Sequence, residues 1–168
     1  MKKSLSLLII AIIALTSSIN ASAKWTDHNT FNLKGPVKDV YENEYVSLSF
    51  YEDGTLYLMN GERVIIESRD KVGRITALRW AEMPQFNSYT YNKKGFITEE
   101  RSSGGTCAFE STIKYAYNAK GQVVKQTWDG EITTYTYQKF DKYGNWIKRT
   151  AKTGRKSTVE TRTITYYE

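Results

Sequence analysis

The sequence predicts an all-β protein: an antiparallel meander of about twelve short strands built from repeated hairpins, curled or barrel-like, with very little helix. The first reason is a recurring turn motif, which consists of an aromatic residue, Asn or Asp, two free positions, Gly, one free position and an apolar residue. The second reason is the period-two alternation of the flanking segments. These are rich in Tyr, Thr, Val and Ile, the residues suited to a pleated surface.

The turn motif predicts chain reversals at five positions. Its copies place their glycines at Gly54, Gly73, Gly95, Gly121 and Gly144. In a type I turn the Asn or Asp side chain bonds the backbone two residues on, and the closing Gly takes a positive φ at no steric cost. Between these reversals, Asn60-Gly61 and Asp129-Gly130 are type I′ hairpin signals, and 102–105 and 152–155 are longer loops. Each repeat therefore holds two strands and two turns.

The strands follow from these turns in chain order. They are predicted at about 37–42, 45–51, 55–59, 62–69, 74–80, 88–91, 96–101, 110–117, 122–128, 131–140, 145–151 and 158–167. Trp25 and Phe31 are expected to hold the aperiodic segment before these strands against the sheet. Segment 81–87 contains Pro84 and loses the alternation, so it is the one place where a short helical turn is expected. A barrel, a two-layer curl and a coiled single sheet all fit this pattern.

The N-terminus predicts export. Lys2 and Lys3 precede an apolar run that ends at Leu15, and residues 21–23 are small, so residues 1–23 are expected to be a signal peptide cleaved between Ala23 and Lys24. Residues 24–168 then form a single β-repeat domain in the periplasm, on the outer surface or outside the cell. No Cys stands at the cleavage site, so a lipoprotein is not expected. No later segment is a candidate membrane span.

Composition argues against several chemistries. The chain carries a net charge of +6, which falls to +4 without Lys2 and Lys3, and its charges are interspersed, so nucleic acid is not an expected partner. Cys107 is the only cysteine and is expected to act as a half-buried small apolar residue rather than in an intermolecular bridge. His28 is the only histidine and has no nucleophile motif near it. No catalytic set, metal site or cofactor is therefore predicted.

Two stretches carry a family resemblance. Tyr89-x-Tyr91-Asn92-x-x-Gly95 and Tyr115-x-Tyr117-Asn118-x-x-Gly121 resemble the tyrosine-aspartate (YD) repeat of RHS-type proteins, whose pattern is Tyr-x-Tyr-Asp-x-x-Gly followed by an apolar residue. A third copy, Phe140-Asp141-x-x-Gly144, has Phe140 in place of the second Tyr. In that family the repeats build a β-sheet shell around a cargo in secreted or surface proteins. This chain is too short to enclose a cargo, so the resemblance implies a small exported repeat protein, with no catalytic residue carried over.

The aromatic residues are the remaining functional signal. The tyrosines of the Tyr-x-Tyr pairs would form a ladder on one sheet face, either as core packing or as a partly exposed platform for sugar rings or a peptide. The candidate platform consists of Tyr89, Tyr91, Tyr115, Tyr117, Tyr135 and Tyr137 with Trp80, Trp128 and Trp146 as anchors.

Three functions remain open from the sequence. The favoured one is an exported non-enzymatic protein with a binding or envelope-structural role toward a glycan or protein partner. The first alternative is a periplasmic carrier of an apolar ligand inside a closed barrel. The less favoured alternative is a glycan-degrading enzyme with a carboxylate pair, either Glu42 with Glu44 or Glu52 with Asp53. Exposed sheet edges would also allow self-association.

Overall fold

The protein is a closed barrel of twelve antiparallel strands, described by a computed structural model over residues 25–104 and 109–168. The strands are β1 (Val37–Glu42), β2 (Tyr45–Phe50), β3 (Leu56–Met59), β4 (Glu62–Arg69), β5 (Ile75–Trp80), β6 (Gln85–Tyr91), β7 (Ile97–Gly104), β8 (Phe109–Tyr117), β9 (Val123–Trp128), β10 (Glu131–Phe140), β11 (Trp146–Thr153) and β12 (Lys156–Tyr166). Each strand pairs with its neighbours in sequence, and β1 pairs with β12. The predicted all-β meander is confirmed, and its shape is the barrel.

Closure of the barrel bears on the expected self-association through sheet edges. Each of these twelve strands has a hydrogen-bonded neighbour on both sides. The ring therefore leaves no free sheet edge among the described strands, and the expected route to self-association through sheet edges has no structural basis.

The motif glycines close the turns at one end of the barrel, called here the capped end. At Asn92 the side-chain Oδ1 accepts bonds from the backbone N–H groups of Lys94 (2.9 Å) and Phe96 (3.1 Å), and Asn118 and Asp141 repeat this arrangement. Gly95 has a φ of +86°, as the predicted turn requires. The intervening turns lie at the opposite end, called here the far end.

The predicted helical turn at 81–87 is wrong. Strand β6 begins at Gln85, and its first residues pair with Ser102–Gly104 of a β7 that is longer than predicted. The alternation of polar and apolar residues failed to predict the strand here because Asn87 points inward and is 3 % exposed, whereas Phe86 points outward and is 47 % exposed. The one helix described, α1 (Asp27–Thr30), lies instead in the aperiodic N-terminal segment.

Residues 25–34 form a cap over the capped end, so the expectation that this segment docks on the sheet is correct. Its contacts reach every motif turn: the Asp27 N–H donates to the Gly54 carbonyl (3.1 Å), and Asn32 Nδ2 donates to the Gly121 carbonyl (2.6 Å). The Trp25 side chain packs against the turns at Gly73 and Gly95, and Lys34 packs against Gly144. The cap therefore ties the repeats together at one end.

The barrel interior has two unlike halves. The buried apolar side chains come almost entirely from the cap and β1–β7, and those of Phe50, Ile75 and Leu78 have no exposed surface. Among the described side chains of β8–β12, only the apolar Ala151 is equally buried. The interior of β8–β12 is instead lined by tyrosines and charged groups, and this is where space remains.

Two predictions fall outside the described residues. The signal peptide with its Ala23–Lys24 cleavage site, and Cys107, are not among the residues that the structure describes. In the part of the chain that is described, none of the helical structure has the length and apolar character that a membrane crossing would require.

Candidate functional site

The six predicted tyrosines all face the barrel interior, so they form a wall inside the barrel rather than a platform on its outer surface. Tyr89 is buried in the core, and the other five are half-buried. The three tryptophans are not brought together: Trp80 is in the apolar core, Trp146 faces the interior, and Trp128 is exposed on the outside.

Hydrogen bonds hold the second tyrosine of each pair against the preceding hairpin strand. The Tyr91 hydroxyl donates to the carbonyl of Ile75 (2.5 Å), and Tyr117 donates to that of Ile97 (2.7 Å). Tyr137 donates to the carbonyl of Val123 (2.8 Å). Each acceptor is the apolar residue that follows a motif glycine, so the two parts of the repeat motif lock neighbouring strands together. Burial raises the pKa of Tyr91 to about 12, and raises the pKa of Tyr117 as well.

In the third motif copy, the residue opposite the motif's apolar residue and the residue that donates the inward hydroxyl are different. Phe140 stands opposite Trp146, as Tyr117 stands opposite Val123, but Phe140 is 39 % exposed. Two register shifts between Tyr137 and Phe140 accommodate the extra residues. Tyr137 therefore supplies the inward hydroxyl that the sequence pattern would assign to position 140.

The tyrosine wall borders two adjoining cavities. The first, called here the lumen chamber, has a volume of about 330 Å³ and runs from the cap toward the far end, where Glu42, Ser47 and Asn60 line it. The second, called here the cap-side chamber, has a volume of about 450 Å³ and lies between the cap and β9–β12. The two chambers share Phe31, Asn32, Val123, Trp146, Arg149 and Arg162. Volumes of this size accommodate small organic ligands.

Two arginines and an indole form the boundary between the chambers. The guanidinium carbons of Arg149 and Arg162 each lie 4.1 Å from the centroid of the Trp146 ring. Arg149 also lies over the Tyr135 ring (3.9 Å) and pairs with Glu160, with 2.6 Å between Nε and Oε2. Cation–π contacts of this kind hold the guanidinium groups in place inside the barrel.

Arg162 differs from Arg149 in its partners. Its Nε donates to the Trp146 carbonyl (2.5 Å), and no carboxylate of the described residues forms an ion pair with it. Desolvation by burial lowers the pKa of Arg162 to about 10, and the neighbouring Arg149 charge acts in the same direction. The group is still a cation at neutral pH.

The lumen chamber also contains two carboxylates. Glu100 accepts bonds from Asn87 Nδ2 (2.5 Å) and the Tyr115 hydroxyl (3.0 Å), and burial raises its pKa. Glu42 lines the same chamber and is the cross-strand partner of Arg162. Of the two candidate carboxylate pairs, the first has only Glu42 in the chamber, because Glu44 is exposed in the β1–β2 turn, and the second, Glu52 with Asp53, is exposed at the capped end.

His28 has a structural role in the cap. It is 7 % exposed, packs edge-on against Phe50 with ring centroids 4.4 Å apart, and places Nε2 2.8 Å from the Val37 carbonyl. Nε2 therefore carries the proton and donates it, and burial lowers the pKa of the ring. This histidine attaches the cap to β1.

Sequence reasoning missed Arg149, Arg162, Glu100 and the lysines of the cap-side chamber. One signal was available for Arg162: the last strand lacks the Tyr-x-Tyr pair of the earlier repeats and has Arg162-x-Ile164 at the corresponding positions. A repeat that is broken at one copy marks a position where a requirement other than the fold selects the residue.

The described residues include no group of three or more His, Cys, Asp and Glu side chains placed to hold a metal ion. What the interior offers is aromatic faces, hydroxyl groups and two guanidinium groups, which is the chemistry of a binding site for a small polar or aromatic molecule. Comparison of the chain with protein-family models and with curated proteins gave no match. The resemblance to YD repeats therefore stays a prediction based on the repeat motif.

Proposed function

We propose that this protein is an exported, non-enzymatic binding protein that holds a small organic ligand inside its barrel. The observation that carries the proposal is the pair of adjoining cavities, about 330 and 450 Å³, along a wall of inward-facing tyrosines. A fold that needed only a core could fill this half with aliphatic side chains, as its other half does. Descent from YD-repeat proteins and removal of residues 1–23 on export belong to the same proposal.

The position of the aromatic wall narrows the class of ligand. A glycan chain or a folded protein would need an outer platform, whereas the tyrosines line a cavity inside the barrel. The notion of a purely apolar ligand also fits poorly, because Arg149, Arg162 and Glu100 line the lumen chamber. A small molecule with both a flat apolar body and polar groups matches this lining best.

Obstruction of the cavities tests the proposal. Val123 is half-buried and lines both chambers, so Val123→Phe would fill space at their junction. The matched control is Val159→Phe, at a valine that is 54 % exposed on β12. Small aromatic and sugar compounds would be screened against the purified protein by tryptophan fluorescence and thermal shift, with native mass spectrometry to detect any co-purified ligand.

Two outcomes decide this test. We expect compounds that bind the wild-type protein and Val159→Phe with similar affinity, and that bind Val123→Phe at least about tenfold more weakly. Binding that is unaffected by Val123→Phe would place the ligand outside the barrel and overturn the proposal. The absence of any ligand from both the screen and the mass spectra would also overturn it.

A further inference from the structure

Strand β12 departs from the tyrosine pattern at one defined register position. Four hairpins, β5–β6, β7–β8, β9–β10 and β11–β12, share one register. In each of them the residue three places after the motif's apolar residue pairs with a residue on the next strand, and these pairs are Leu78–Asn87, Glu100–Ile113, Gln126–Thr133 and Arg149–Glu160. Two residues beyond the second member of each pair stand Tyr89, Tyr115, Tyr135 and, in β12, Arg162. Arg162 therefore occupies a position that is tyrosine in three equivalent strands.

The fold does not require a guanidinium group at this position. The only protein hydrogen bond that Arg162 makes within the described residues is from Nε to the Trp146 carbonyl. In the other repeats a tyrosine two residues further along the strand bonds the equivalent carbonyl, as Tyr137 does at Val123. The two terminal nitrogens of Arg162 have no protein acceptor among residues 25–104 and 109–168, although the group lies inside the barrel. These N–H donors are therefore available to a ligand in the chamber.

The cap-side chamber that Arg162 lines is strongly basic. Lys34, Lys120, Arg149 and Arg162 contribute to its lining, and none of its described lining residues is Asp or Glu. The two lysines are exposed and stand where the chamber meets solvent, whereas the arginines are inside. Glu160 neutralises Arg149, so Arg162 is the interior cation that remains for a ligand.

We propose that the cap-side chamber binds an organic anion, with a terminal oxyanion on Arg162 and a flat apolar body against Tyr137 and Trp146. This inference rests on the proposed function and specifies its ligand class. The fork of N–H donors on a guanidinium group matches a carboxylate or a phosphate, and both share the chemistry that the site recognises. Lys34 and Lys120 attract the anion to the chamber from solvent.

One protein carboxylate competes with the ligand. Glu42 is the cross-strand partner of Arg162 and raises its pKa electrostatically, but it lines the lumen chamber rather than the cap-side chamber. Arg149, Tyr137 and Asp141 also act on Arg162, and Asp141 is already held by Tyr166 and by its own turn amides. Replacement of Glu42 by Gln would leave Arg162 without this competitor and strengthen anion binding.

The test compares three probes that share one ring system: 2-naphthoate, 2-naphthyl phosphate and the neutral 2-naphthamide. Their affinities would be measured by calorimetry on the full purified protein and on Arg162→Tyr, Arg162→Gln and Glu42→Gln. Arg162→Tyr introduces the residue found at the equivalent positions, and thermal unfolding would verify that each variant is folded. Arg155→Gln, at an exposed turn residue of the far end, is the matched control for loss of one positive charge.

We expect at least one anionic probe to bind the wild-type protein about tenfold or more tightly than 2-naphthamide, and to lose about 10- to 100-fold in affinity in both Arg162 variants. The stronger of the two anions identifies carboxylate or phosphate as the preferred group. Arg155→Gln should bind like the wild-type protein, and Glu42→Gln should bind more tightly.

Two other results overturn the inference in distinguishable ways. If 2-naphthamide binds as tightly as the anions and Val123→Phe abolishes both, the barrel binds a small molecule but not an anion, so the proposed function survives alone. If no probe binds at concentrations up to about 1 mM, both the inference and the aromatic ligand class of the proposed function fail.

Discussion

At the scale of single residues, burial of one ionisable ring couples stability to pH. His28 donates from Nε2 to the Val37 carbonyl from a site that is 7 % exposed. Burial lowers its folded-state pKa, so the unfolded state binds a proton more readily at and below the ordinary value of 6.5. The stability that this neutral ring contributes is present above about pH 6.5 and is lost as the pH falls toward the folded-state pKa.

We therefore expect the free energy of unfolding to decrease less between about pH 8 and about pH 5.5 in His28→Gln than in the wild-type protein. The Gln amide keeps a donor for the Val37 carbonyl but cannot take up a proton. Urea unfolding at the two pH values measures the difference. Glu100, whose pKa is raised, contributes a pH dependence of the opposite sign, but it is present in both proteins and cancels in the comparison. An equal or steeper decrease in His28→Gln would contradict this role.

The sequence predicted the direction of some interior side chains but not of others. The inward direction of the six tyrosines follows from their period-two spacing once one of them is buried. The inward direction of Arg149 and Arg162 does not, because charged residues in a strand are expected to face solvent. The placement of Arg162 depends on the register in which β12 meets β1, a contact between the first and last strands that no local pattern encodes.

At the scale of elements, the motif turns differ from the far-end turns in what covers them. Gly95 and Gly61 both have positive φ, +86° and +79°. A Cβ at Gly95 would lie 2.7 Å from Cη2 of Trp25, whereas a Cβ at Gly61 would have no atom within 4 Å. Gly95 therefore serves both the turn and the close approach of the cap, and Gly61 serves the turn alone.

Substitution by alanine separates these two roles. Gly61→Ala should lower the free energy of unfolding by about 1 kcal/mol through backbone strain. Gly95→Ala should lower it by at least about 1 kcal/mol more, because the Trp25 ring must move. In a Trp25→Ala background the two glycine substitutions should cost the same, which a double-mutant cycle by urea unfolding would measure. Equal costs in the wild-type background would show that the cap does not press on this turn.

The strands themselves were predictable to within a few residues because glycine turns fix both ends of most of them. The exceptions lie where the turn chemistry is weak. Segment 81–87 has no motif glycine, and its inward Asn87 and outward Phe86 invert the usual alternation, so β6 was predicted too short. Helix α1 was missed because four residues are too few to show a helical period.

At the scale of the whole molecule, the cap and the β1–β12 seam complete the barrel. The Thr165 hydroxyl on β12 donates to Asp39 Oδ2 on β1 (3.0 Å), and the Tyr167 hydroxyl reaches the Phe50 carbonyl (2.7 Å). Beneath the cap, Asp27 is 2 % exposed and accepts two bonds from Arg69, at 2.5 and 2.9 Å, and one from the Leu56 N–H (2.9 Å). This carboxylate joins the cap to two strands at once.

Neutralisation of Asp27 should therefore loosen the whole capped end. We expect Asp27→Asn to lower the free energy of unfolding by about 2 to 3 kcal/mol, less than for a fully buried ion pair, because the Arg69 side chain is 35 % exposed. Glu67→Gln, which breaks the exposed pair with Arg79, is the control and should change the free energy of unfolding by less than about 0.5 kcal/mol. Urea unfolding measures both changes.

Hydrogen exchange locates the effect of Asp27→Asn within the molecule. The Leu56 amide should exchange faster, because its acceptor is weakened, and the Gly54 and Gly121 turns should lose protection as the cap detaches more often. The exchange rates of β10 and β11 amides near the far end should change only as much as the lower global stability requires, since the cap does not contact these amides. Faster exchange confined to Leu56, or a stability loss no larger than that of Glu67→Gln, would show that the repeats hold the barrel closed without the cap.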